Sequence, residues 1–83
     1  MMSRIFFSVS AGNQSVTDLQ NYLNLIARTI PEIPEVSVTG YYGEQTANAV
    51  STFQRLFGLT VSGAVGPITW YRIAEQYDAF NNA

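Results

Sequence analysis

Few residues in this chain could carry chemistry, and their types narrow the options at once. The sequence has no His, no Cys and no Lys. Acid–base work would fall to Asp18, Glu32, Glu35, Glu44, Glu75 and Asp78, or to the tyrosines. Cleaving a glycosidic bond takes two carboxyl groups roughly 5–9.5 Å apart across that bond. Glu32 and Glu35 are close in sequence, but they sit in a proline-rich stretch that reads as an exposed connector. Glu75 and Asp78 lie one helical turn apart on a surface face. A catalytic carboxylate needs burial or a charged partner to shift its pKa, and no pair here has a visible source of either. Without thiols there is no Cys nucleophile, thiolate zinc site or disulfide. No oxygen-ligand loop of the EF-hand type is present, and there is no imidazole. The expectation is no catalytic residue, no metal and no cofactor.

The remaining candidates are residues that bind rather than react. Gln54 stands inside an apolar helical stripe, one turn beyond Val50. A buried amide needs partners. It either hydrogen-bonds a loop backbone or faces a groove that a polar ligand fills. Tyr41 occupies a variable turn position, and Tyr71 lies off the core stripe beside Glu75 and Asp78. An exposed Tyr offers an apolar face with a polar tip, which suits sugars and peptides. Tyr42 corresponds to Val65 in a sequence repeat, which favours a partly core position. Trp70 heads an apolar stripe and is expected in the core.

The elements that must position these residues centre on that repeat. Val38-Thr39-Gly40-Tyr41-Tyr42-Gly43-Glu44-Gln45-Thr46 returns as Val61-Ser62-Gly63-Ala64-Val65-Gly66-Pro67-Ile68-Thr69. Each copy reads Val, hydroxyl residue, Gly, two variable positions, Gly, two variable positions, Thr. Each then runs into an apolar helical pattern, Ala47, Val50, Phe53 and Phe57 after the first and Trp70, Ile73, Ala74, Tyr77 and Phe80 after the second. Glycine suits turn positions that need positive φ or a close backbone approach. Glu44 fits the positive end of a helix, and Gly58 fits a C′ stop. Pro67 fits a first helical position, where its missing N–H is no loss.

Upstream, Val16, Leu19, Leu23, Ile26 and Ile30 recur at helical spacing, with Tyr22 beside them, which predicts a helix over 15–28. Ser15 reads as its N-cap, with Asp18 three residues on in a variant capping box. Pro31 and Pro34 end that helix by removing donors and fixing φ. Ile30, Ile33 and Val36 share one face of a polyproline-like path, leaving Glu32 and Glu35 to water. Three short stripes of this kind are marginal alone and must pack together. The fold class expected is all-α, a small three-helix bundle with two repeated Gly-turn/helix units. Residues 1–14 read as a linker or edge segment, 15–80 as the domain, and 81–83 as a fraying tail.

Composition agrees with a single small domain. The chain has 83 residues, 47% of them hydrophobic and only 12% charged, with net charge −2. That charge gives no electrostatic reason to hold a phosphate backbone, so no nucleic acid is expected. The Gly turns lack the Lys and the glycine pattern of nucleotide loops. The stretch from Gly58 to Gly66 is too long for the turn of a helix–turn–helix. No run of about 18 apolar residues suits a membrane span. The opening Ile5-Phe6-Phe7-Ser8-Val9 is shorter than the apolar core of a signal peptide.

The double Gly motif, with Ala49-Val50, Phe53-Gln54 and Gly58-Leu59 between the copies and Trp70 after the second, resembles the type 1 peptidoglycan-binding domain. Leu19-Gln20 and Leu23 match the start of that family's first helix. The resemblance covers about residues 15 to 77. It implies a three-helix, non-catalytic module that holds an attached or neighbouring cell-wall hydrolase or transpeptidase on peptidoglycan. It also implies a monomeric, extracellular or wall-associated setting, and peptidoglycan stem peptide or glycan as partner. Tyr41, Tyr42, Gln45, Gln54 and Tyr71 are the ligand-binding residues expected on that reading. The chain departs from the family pattern at Thr39 and Ser62, where Asp is usual, and in a longer connector around Pro31 and Pro34. Ser and Thr make the same kind of short turn bond as Asp, so the turns are expected to survive. A different class of function, a protein-interaction or autoinhibitory module resembling the pro-segments of metalloproteases, fits the low charge and high aromatic content.

Overall fold

A computed structural model describes residues 14–81. Three α-helices make up the regular structure there: α1 (Gln14–Thr29), α2 (Glu44–Leu56) and α3 (Pro67–Asn81). The expected all-α bundle with two turn–helix units is what forms. The expected linker falls almost wholly outside the described residues, as do the last two residues of the tail.

Helix α1 packs against both α2 and α3, more extensively against α3. Its stripe of Val16, Leu19, Leu23 and Ile26 is fully buried. Ala49, Val50 and Phe53 meet it from α2, and Trp70 and Ile73 from α3. Full burial of each large side chain stabilises by roughly 1.5–3 kcal/mol relative to exposure, which is what the short helices need. An aromatic group adds to this. Tyr22 lies with its ring centroid 4.2 Å from that of Tyr77 and 5.6 Å from that of Trp70. Burial, with Asp18, Tyr77 and Asp78 as smaller contributors, raises the Tyr22 phenol above its ordinary pKa.

The helix ends follow from local chemistry. Helix α2 stops in a Schellman arrangement: Leu59 N–H donates to Gln54 O at 2.8 Å and Gly58 N–H to Arg55 O at 3.3 Å. Gly58 takes φ 71°, the left-handed conformation this motif places at C′. Pro67 opens α3, as its position predicts. Helix α1 begins at Gln14, so Ser15 and Asp18 lie within the helix rather than forming its cap. The connector after α1 shows the predicted burial, but it begins as a turn rather than a polyproline-like path, with Ile33 N–H donating to Ile30 O at 3.0 Å. Ile33 and Val36 are buried in the core with Ile30 packed against it, and Glu32 and Glu35 are exposed. Asn24 fixes it, giving its amide N–H to Val36 O and accepting Val36 N–H, both at 2.8 Å.

Candidate binding surface

Each turn is built around one buried glutamine. In the first, the Gln20 carbonyl oxygen accepts the backbone N–H groups of Thr39 at 2.8 Å and Gly40 at 3.0 Å. Its amide nitrogen donates to Tyr41 O and to Thr46 Oγ1, both at 3.0 Å. In the second, the Gln54 carbonyl oxygen accepts Ser62 N–H at 2.9 Å and Gly63 N–H at 3.0 Å. Its amide donates to Ala64 O at 3.1 Å and Thr69 Oγ1 at 3.0 Å. The partners in the two sets correspond one to one across the repeat. Two backbone donors meet each side-chain oxygen, and an oxygen-lined side meets each nitrogen, so each amide has only one satisfied orientation. The amides are 1% and 0% exposed, which makes their saturation a requirement.

The hydroxyl residue ahead of each glycine tightens the same turn. Tyr41 N–H donates to Thr39 Oγ1 at 3.1 Å, and Ala64 N–H to Ser62 Oγ at 3.2 Å. Thr39 and Ser62 thus make the short side-chain turn bond expected where Asp is more usual. Gly40 and Gly63 adopt φ 78° and 75° at the following position, which only glycine takes readily. Tyr42 joins the two turns: its hydroxyl donates to Gly63 O at 2.6 Å. Burial raises its phenol pKa to about 12.

The five residues expected to bind ligand occupy different settings. Gln54 has no exposed surface and spends its hydrogen-bonding capacity on the second turn; of the two roles open to it, its contacts fill the structural one. Tyr42 is half-buried between the turns. Gln45 is exposed, with its side-chain oxygen accepting Ser37 N–H at 2.8 Å. Tyr41 is 63% exposed, and the Cδ2–Cε2 edge of its ring lies against Gly43, where a Cβ would come within 2.7 Å of it. Tyr71 is 64% exposed on α3, at helical spacing from exposed Ile68. Tyr41, Tyr42 and Gln54 are thus tied to adjoining turns, while no hydrogen bond or ring contact joins Tyr71 to the other four among the described residues.

Beside the second turn lies an open cleft of about 430 Å³. Its walls include Gly58, Leu59 and Thr60 after α2, Ala64 in the turn, and Gly66 and Ile68 at the start of α3. Gln54 and Thr69 form its floor as a satisfied pair. Among the described residues no cluster of Asp or Glu suits a metal ion. No described carboxylate lines this cleft. The arrangement can hold a neutral ligand.

Gln20 is the residue that motif reading passes over. Its signal lies in the matched spacing Leu19-Gln20-x-x-Leu23 and Phe53-Gln54-x-x-Phe57. The distance from each glutamine to its turn differs, because the first copy carries the Pro31–Pro34 connector and the second does not.

A family model described as "Putative peptidoglycan binding domain" matches residues 12–73. A probable N-acetylmuramoyl-L-alanine amidase of Bacillus licheniformis is 53% identical over 32 residues, which is 39% of this chain and 9% of the amidase. An uncharacterized protein of Kitasatospora aureofaciens is 46% identical over 39 residues, 47% of this chain and 33% of that protein. The chain therefore spans a third or less of these curated relatives. No solved structure gives a significant match.

Proposed function

The chain belongs to the peptidoglycan-binding domain family, and from that membership we propose that it is a non-catalytic module holding a cell-wall hydrolase or transpeptidase on its polymer. The observation that carries the reading is the match of the family to both turn–helix units, on a domain whose open cleft has no ionisable group in its lining. The short match to an amidase supports a hydrolase as the neighbouring domain. Exposed Tyr41 and Tyr71, with Gln45 and the cleft, would supply the contacts, and Tyr42 and Gln54 would hold the turns in place. A site this open gives weak binding per contact. Its benefit is a raised local concentration of the attached enzyme at an insoluble substrate. The setting this implies is extracellular, at the cell wall.

Retention on purified insoluble peptidoglycan tests the reading. Wild-type protein should be retained, and Tyr41→Ala with Tyr71→Ala should weaken retention by about 10-fold or more. Release of soluble wall fragments by these 83 residues alone would overturn the non-catalytic assignment. Capture of a catalytic neighbour with no retention on the wall would favour an autoinhibitory module instead.

A further inference from the structure

The two turns share a frame but differ in what lies beside them. In the first, the protein fills the space itself. The Tyr41 ring covers Gly43, and the Gln45 amide oxygen takes the Ser37 N–H. In the second, the counterparts of Tyr41 and Gln45 are Ala64 and Ile68. Ala64 is too short to cover Gly66, whose Cα face has nothing within 4 Å, and Ile68 has no amide and is 71% exposed. The counterpart of Ser37 is Thr60, whose backbone N–H has no partner among the described residues. The open cleft lies at this position, and Ala64, Gly66, Ile68 and Thr60 all line it.

The first turn therefore shows what the second is missing: a six-membered ring filling the space beside the glycine, and an amide oxygen that takes the backbone N–H. We propose that the second-turn cleft binds an N-acetylated hexose ring, with the ring seated beside Gly66 and the acetamido oxygen accepting the Thr60 N–H. The proposal rests on the peptidoglycan reading and names the part of the polymer this site takes. Size agrees, since the cleft volume falls in the usual range for small ligands of about 300–1,000 Å³. Charge also agrees. None of the lining residues is ionisable, which suits a neutral sugar better than the charged ends of a stem peptide. Thr60, exposed and lining the cleft, also carries a hydroxyl that a sugar hydroxyl can meet.

The test is NMR titration of the ¹⁵N-labelled chain with a trimer of N-acetylglucosamine, a trimer of glucosamine, and a wall stem peptide, beside retention on intact peptidoglycan. The N-acetylated trimer should perturb the amides of Thr60, Gly66 and Ile68. The de-acetylated trimer should bind at least 10-fold more weakly. Ala64→Tyr, which copies the first turn's cover, should abolish the perturbation with the amide spectrum of the rest of the domain unchanged. Gly66→Ala, where a Cβ meets no protein atom, should weaken binding at least 5-fold without unfolding. Equal binding of the two trimers, or cleft perturbation by the stem peptide alone, overturns the proposal. Retention on peptidoglycan with no response to either sugar overturns it while leaving the module's function standing. Loss of retention altogether overturns both.

Discussion

Gln54→Leu isolates the central structural device. Leucine has similar volume and suits a fully buried position, so packing changes little. What is lost is the clamp. Four contacts of 3.1 Å or less disappear, to Ser62 N–H, Gly63 N–H, Ala64 O and Thr69 Oγ1. Each intramolecular hydrogen bond contributes about 1 kcal/mol net, and a buried group left unpaired costs about 1–3 kcal/mol. Water can reach part of the turn once the amide is gone, so the loss should be about 2–4 kcal/mol. A domain of this size has roughly 4–12 kcal/mol in total. In thermal terms the drop is about 8–32 °C, at about 4–8 °C per kcal/mol. Urea unfolding followed by helical circular dichroism and by the single Trp measures it. The midpoint should fall with the slope unchanged. Gln20→Leu should cost the same to within about 1 kcal/mol, because its partner set is the same. A loss below about 0.5 kcal/mol in both variants would refute the clamp.

The other expectations concern single atoms of the same frame. The folded-state pKa of Tyr42 is raised to about 12 from an ordinary 10.0. The stability linked to that shift is therefore full below pH 10 and is lost as pH rises from 10 to 12. With its partial solvent access the effect is at most about 2 kcal/mol; Tyr42→Phe should cost about 1 kcal/mol at neutral pH and flatten this alkaline limb. Tyr22, also raised, should leave a residual slope, and an unchanged limb in the variant would contradict the assignment to Tyr42. Gly40→Ala should cost about 1–2 kcal/mol because φ is 78°, while Gly66→Ala stays within about 0.5 kcal/mol of wild type. Thr39→Asp, at the position where the resemblance leads one to expect Asp, should be neutral or stabilising by up to about 1 kcal/mol, since a carboxylate can accept both Tyr41 N–H and the Gln20 amide; a net loss would show that the turn needs the Thr39 hydroxyl as donor to Tyr41 O.

The sequence carried the fold in its spacing. The apolar stripes of all three helices, the buried Ile33 and Val36, the Gly58 stop and the Pro67 start each follow from a local rule about period or backbone conformation. The start of α1 did not follow, because Ser15 is as acceptable inside a first turn as at a cap. The binding surface was legible only in part. Exposed Tyr41 and Tyr71 could be picked out by their place off the stripes. Gln54 could be flagged as a polar residue on an apolar face, but its direction depends on Ser62, Gly63 and Thr69 folding back over α2. Gln20 stayed hidden for a similar reason: its partners lie across the proline connector. The cleft was not visible at all, because it arises from what Ala64 and Ile68 lack relative to Tyr41 and Gln45.

Equilibrium co-sedimentation of the folded chain with purified peptidoglycan sacculi tests the central claim most directly. The account predicts saturable, reversible depletion from the supernatant, with no release of soluble wall fragments. Depletion no greater than for an unrelated domain of the same size and charge would contradict it.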